Sequence, residues 1–170
     1  INTNRVDASL KIGYVFPELP FQSFGFQSAY SHHKQDAFYG FRVYDIDHQS
    51  VYTNFLFNSI IGNTKNKFKA GLNFSYDRYL ETVDTFYFNR SDRSVGSFFE
   101  YSYDSLENFS LVGGVRVDVH NRLGTFITPR LHLRYLPQEK TIIRLSAGSG
   151  RKAANIFAEN QTLFGTNRRI

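Results

Sequence analysis

The sequence predicts an all-β chain: an antiparallel meander of about eight long strands, forming part of a transmembrane β-barrel. Three observations carry this. Apolar and polar residues alternate with a period of two along most of the 170 residues, the mark of strands with one greasy and one wet face. The alternating runs are about twice the five or six residues usual for strands in soluble proteins. Turn-forming segments fall between the runs, and short ones nearly alternate with longer polar ones.

The runs follow in order. Val6, Ala8, Leu10, Ile12 and Tyr14 alternate with Asp7, Ser9, Lys11 and Gly13. Over 21–31, Phe24, Phe26 and Tyr30 oppose Ser23, Gly25, Gln27 and Ser31. Over 48–61, Val51, Thr53, Phe55 and Phe57 oppose Ser50, Tyr52, Asn54 and Asn58. The clearest run is 66–79, with Phe68, Ala70, Leu72, Phe74 and Tyr76 in one row and Lys67, Lys69, Gly71, Asn73, Ser75 and Asp77 in the other. Then come 94–104 (Val95, Phe99, Tyr101), 107–120 (Phe109, Leu111, Val115, Val117, Val119), 124–135 (Ile127, Leu131, Leu133) and 139–149 (Ile143, Leu145, Ala147). None of these apolar rows contains a charge. A tilted strand crosses a bilayer in about 9–11 residues, and these runs are long enough.

Short turns are expected at Pro17–Pro20, Gly62–Lys65, Asp104–Glu107 and Leu136–Gln138. Longer connections are expected at His32–Asp47, Leu80–Arg93 and after Gly150, with His120–Gly124 the one short member of that set. Membrane barrels sort their connections in this way, short on the periplasmic side and long outside.

Composition narrows the function. There are 20 Lys+Arg against 15 Asp+Glu, a net charge of +5, and no Cys, Met or Trp. A disulfide scaffold, a thiolate metal site and a cysteine nucleophile are excluded. Aromatic residues at 17% exceed what a disordered tail carries. Mean hydropathy is -0.38, and no apolar stretch is long enough for a transmembrane helix. Basic residues are spread along the chain and interleaved with acids, so no nucleic-acid partner is expected. Gly148-Ser149-Gly150-Arg151-Lys152 lacks the spacing of a phosphate loop. No Ser stands in a nucleophile elbow. No catalytic residue, metal site or cofactor is expected, and the chain is not expected to be an enzyme.

One stretch is more specific. Gly113-Gly114-Val115-Arg116-Val117-Asp118 is followed by His120, Gly124, Thr128-Pro129-Arg130 and Tyr135. Ile143-Arg144-Leu145-Ser146 and Gly148-Ser149-Gly150-Arg151 come next. Upstream stand Ser31-His32-His33, Tyr39-Gly40, Tyr44, Gln49, Tyr52 and Asn54. In this order and on strands, the series resembles the barrel of a TonB-dependent outer-membrane receptor of the kind found in Bacteroidetes. The resemblance implies a barrel of about 22 strands with a plug in its lumen. It implies a location in the bacterial outer membrane. The partners implied are outer-membrane lipid, the plug domain, a TonB-type energy-coupling complex and a small-molecule nutrient. Siderophore, haem, cobalamin, metal and glycan importers share such a wall.

No plug-like segment, energy-coupling box or closing strand is visible, and Thr166–Ile170 is polar. Residues 1–170 are therefore expected to be a partial wall, with the plug and the remaining strands absent. The alternatives are a complete small outer-membrane barrel with an adhesin or structural role, and a soluble lipid-binding β protein. A complete gene separates the first, and detergent dependence separates the second.

Two sets of site residues follow. Arg116, Asp118, Arg130, Arg134 and Arg144, with Glu100, share the polar row and are expected to face the lumen and its plug. His32, His33 and His48, with Tyr44, are expected to lie on or beside one long extracellular loop. There they are candidates for meeting a substrate, because imidazoles bind transition metals and their chelates.

Overall fold

The computed structural model describes residues 1–19, 21–40, 42–151, 153, 154 and 159. Nine strands follow in order: β1 Asn2–Val15, β2 Ser23–Tyr39, β3 Arg42–Ile61, β4 Asn63–Val83, β5 Phe86–Tyr87, β6 Arg90–Asp104, β7 Phe109–His120, β8 Gly124–Gln138 and β9 Thr141–Gly148. They form one antiparallel sheet in the order β1-β2-β3-β4-β6-β7-β8-β9, with the two-residue β5 paired to β4. Every long strand pairs with its sequence neighbour, as short hairpin connections favour. Among the described residues β1 pairs only with β2, and β9 only with β8, so the sheet is open.

The register sorts the side chains. Residues opposite each other in an antiparallel pair share a face. Following the pairs from β4 outward places Phe68, Leu72, Phe74, Leu111, Val115, Val117, Leu131 and Leu133 together. Lys67, Lys69, Asp118, Arg130 and Arg144 lie on the other face. The apolar face is uncovered: Leu72 is 59%, Val95 56% and Ile127 61% exposed. A soluble barrel or sandwich would bury this row as its core. Here the described buried hydrophobics are only Ala37, Tyr44, Ile46 and Val83, and the register sets all four on the polar face.

The polar face is the concave one. Tyr52 and Asn54 of β3 line one cavity of about 380 Å³ together with Thr128 and Arg130 of β8. Three strands separate β3 from β8, so in a flat sheet they would stand about 19 Å apart. Sharing a cavity requires the sheet to curl toward its polar side, as a barrel wall does.

The expected connections need correction. His32–Asp47 is no long loop: β2 and β3 run through it, at 17 and 20 residues, to a tight turn at Gly40. Most of Leu80–Arg93 is also strand, since β4 extends to Val83, β5 follows and β6 starts at Arg90. The long–short alternation is therefore one of strand projection and not of loop length. The physical reason is that period-two patterning needs one dry face. In His32–Tyr39 both faces carry polar groups, so the alternation vanishes while the hydrogen-bonded ladder continues. Smaller shifts follow the same ladder: β4 starts at Asn63 and β8 reaches Gln138. Gly62 makes the β3–β4 turn alone at φ +74°, a conformation that favours glycine. Pro20 and nearly all of the expected polar tail lie outside the described residues.

Candidate functional site

The charged residues of β6, β7 and β8 meet across the polar face by passing over glycines. Glu100, Gly114 and Arg130 stand in one row on three successive strands. Gly114 has no side chain, so the Arg130 guanidinium crosses β7 and pairs with Glu100. A Cβ at Gly114 would come within 3.0 Å of Arg130 Nε, so the arginine would have to give by a few tenths of an ångström. Lys69 Nζ reaches the same carboxylate from β4, 3.5 Å from Oε1. Glu100 is 7% exposed, and two cations offset the cost of burying it.

The neighbouring row repeats the device. Arg116 Nε and Nη2 donate to Asp118 at 2.6 and 2.7 Å, a bidentate pair two residues apart on one strand. The Asp118 carboxylate lies over Gly96 of β6, and Asn73 Oδ1 approaches the same glycine from β4. Gly71 of β4 is likewise covered by the Phe98 ring. These three glycines were visible in the polar rows. Their partners were not, because only the register says which long side chain lies across which gap.

All six residues expected to face a lumen lie on this one face: Glu100, Arg116, Asp118, Arg130, Arg134 and Arg144. Four are engaged in the pairs just described. Arg134 and Arg144 stand directly opposite each other, and neither forms a salt bridge among the described residues. Like charges in this relation are destabilising within a sheet.

The second set divides. His32 and His33 are neighbours in sequence and lie on opposite faces. His32 Nε2 and Asp47 Oδ1 are 3.0 Å apart on the outward continuation of the apolar face. His33 stands opposite His48 on the polar face. His48 lies 3.1 Å from Asp77 Oδ1 and stacks on Tyr79, with ring centroids 4.2 Å apart. Arg90 covers the Tyr79 ring at 4.0 Å, a cation–π contact. Tyr44 is buried, and its hydroxyl donates to Glu81 Oε1 at 3.2 Å. Burial first, and then the Glu81 charge, push the Tyr44 phenol well above its ordinary range. Tyr79 is raised too, again chiefly by burial. Tyr44 is thus a neutral structural donor. The expected loop cluster of four is therefore His33, His48 and Tyr44 on one face and His32 on the other. The described residues contain no group of three His, Asp or Glu side chains fit to hold a metal ion.

The family described as "TonB dependent receptor-like, beta-barrel" matches residues 2–168. The chain belongs to this family. TonB-dependent receptors are transporters of the outer membrane and not an enzyme family, and the curled antiparallel sheet is consistent with part of such a barrel. No curated protein matches the chain. One similar solved structure is CdiB from Acinetobacter baumannii, at 13% identity and a TM-score of 0.49; the match covers 88% of this chain and 30% of that one.

Proposed function

We propose that these 170 residues are part of the wall of an energy-coupled receptor that imports a scarce small-molecule nutrient across the outer membrane. The observation that carries this reading is the segregation of apolar and charged faces along a membrane-length band of eight long strands, together with family membership. Both edge strands carry unbroken apolar rows and no edge-blocking proline or charge, which suits a sheet continued by further strands. The plug would then sit against the inner face. Paired residues (Glu100 with Arg130, Asp118 with Arg116) stiffen that wall, and the unpaired Arg134 and Arg144 are left to meet the plug. A nutrient bound from outside would meet the inner face of the projecting hairpins, at His33, His48 and Tyr79, before it met the plug. An inner-membrane complex of the TonB type would supply the energy.

The chain has no Cys, so single thiols report cleanly. In the full-length receptor in cells, Leu72→Cys should react with a lipid-soluble maleimide and Asn73→Cys should not. Arg134→Cys should be shielded from a water-soluble reagent at rest and should label when the coupling complex is energised. Equal labelling of Arg134→Cys in both states would remove the energy-coupled reading while leaving the barrel intact.

A further inference from the structure

The turn that ends β4 is built around a residue in an uncommon conformation. Among the described residues a positive φ occurs at the turn glycines Gly40, Gly62 and Gly124, and otherwise only at Leu106 and at Asp84, where φ is 54°. Asp84 and Thr85 form the two-residue turn between Val83 and Phe86, which pair β4 with β5. Such a turn needs a positive φ at its first central position, and glycine supplies it without strain. Aspartate adopts it at a cost, so its presence calls for a use of the side chain.

That side chain completes a rung. The register of β3 with β4 ends at Tyr44 opposite Val83. One position further out, Asp84 N donates to Val43 O at 2.9 Å, as the next ladder pair would. The return bond, from Val43 N, goes to the carboxylate: Asp84 Oδ1 accepts it at 2.9 Å. In a ladder pair a main-chain carbonyl takes that place. One residue thus turns the chain and holds the neighbouring strand at both of its main-chain polar groups. Val43 stands opposite Phe38 of β2, one pair inside the last, Tyr39 with Arg42. On the other side of β4, Tyr87 pairs with Thr82, and Phe88 N donates to Glu81 O at 2.7 Å. The β2–β3 tip and the β4–β5 turn are therefore joined by Asp84 on Val43.

We propose that Asp84 is a latch. It holds the β2–β3 hairpin and the β4–β5 turn as one lip, so that the inner face of the projecting hairpins is assembled before any ligand reaches it. Asp84 acts through Val43 on the next residue, Tyr44, whose buried hydroxyl bonds Glu81. It is thus a positioning residue for the face that also carries His48 and Tyr79. With the bond broken, the β2–β3 tip moves independently of the β4–β5 turn. The bond is exposed to water, so its loss frees the tip and leaves the rest of the sheet folded. The latch holds the lip whatever the receptor carries.

The test uses the full-length receptor in detergent micelles, with exchange of single backbone amides read by mass spectrometry. Asp84→Ala and Asp84→Gly should each speed exchange at Val43 on the order of tenfold, the loss of one hydrogen bond. Asp84→Asn should keep exchange slow, because its side-chain carbonyl accepts in the same way and asparagine tolerates this φ. Glycine separates the latch from the turn: it suits the backbone better than aspartate and lacks the acceptor. Exchange at Val115, far from the lip, should be unchanged in every variant. Residues 1–170 contain no Cys, so spin labels can be placed on Phe38→Cys and Tyr87→Cys, both exposed and on the outward face. Their separation should be narrowly distributed in the parent and in Asp84→Asn, and broad in Asp84→Ala and Asp84→Gly. Should Asp84→Ala fail to fold, Asp84→Gly against Asp84→Asn carries the test. Slow exchange at Val43 in Asp84→Gly, or a narrow distribution in that variant, overturns the latch and leaves Asp84 a turn residue. Fast exchange at Val43 in the parent overturns it as well.

Discussion

Two parts of the same sheet are built on one backbone ladder and obey different rules. In β7 and β8, from Phe109 to His120 and from Gly124 to Gln138, every charged side chain falls on one face and none on the other. In the outer halves of β2 and β3, which pair continuously up to Tyr39 and Arg42, no such alternation exists. His32, Lys34 and Asp36 lie on one side there, and His33, Gln35 and Ala37 on the other. On the proposed barrel-wall reading the difference is the solvent: within the bilayer one face meets hydrocarbon and must be apolar, while beyond it both faces meet water. The projection is held by other means. A small core of Tyr44, Ile46 and Val83 forms on its inner face, and Asp84 ties the chain back, its Oδ1 accepting from Val43 N at 2.9 Å.

The largest expected effect lies inside the band. Val115 sits in the middle of the outward row of β7, between Phe99 and Pro129. Val115→Arg should cost about 2–4 kcal/mol of folding stability in lipid vesicles, the cost of a cation near the midplane. Urea titration in vesicles measures it. A loss within the error of the titration would show that this row does not face lipid, and the contrast between the two parts would collapse.

That contrast also decides what the sequence could disclose. The faces of Phe68, Leu72, Val115, Leu131, Lys69 and Arg130 could be read by parity, because a one-residue slip would have mixed charges into the lipid row. The projection gave no such constraint. His32 and His33 therefore read as members of one loop cluster, although the ladder turns them to opposite faces. Glu81, 1% exposed, was equally hidden. A buried carboxylate is recognisable only once Tyr44 is known to reach it across the β3–β4 pair. The polar row of the band was legible as a row. Which of its charges pair depended on Gly96 and Gly114, whose empty positions let side chains cross a strand.

An intermediate effect is expected in the small core of the projection. Tyr44→Phe removes one buried hydrogen bond to Glu81 and should cost about 1.5–3 kcal/mol, as for a bond to a charged group. It should also change the pH dependence. The phenol is raised above its ordinary value in the folded chain. The unfolded chain therefore releases the proton first, at about pH 10. Stability should be fully present below that pH and fall as pH rises above it toward the folded value. Tyr44→Phe should flatten this alkaline slope, leaving the part due to Tyr79. An unchanged slope would mean that Tyr44 is not shielded as the structure has it.

The smallest effect is expected from the same kind of change as the largest. Phe38 lies on the same outward face as Val115, opposite Val43, near the tip of the β2–β3 hairpin. It is 68% exposed, more than Val115 at 44%, so exposure in the isolated sheet would rank it as the better lipid contact. Its position argues otherwise. Between it and the band stand His32, Lys34 and Asp36 on the same face, and three polar positions in succession cannot lie in hydrocarbon without a cost of several kcal/mol. Phe38 is therefore in water, and Phe38→Arg should change stability by about 0.5 kcal/mol or less, as for a surface substitution. The same vesicle titration compares it with Val115→Arg directly. A cost approaching that of Val115→Arg would place the hairpin tip in the membrane, about three outward-facing positions beyond His32, or roughly 20 Å along the strand.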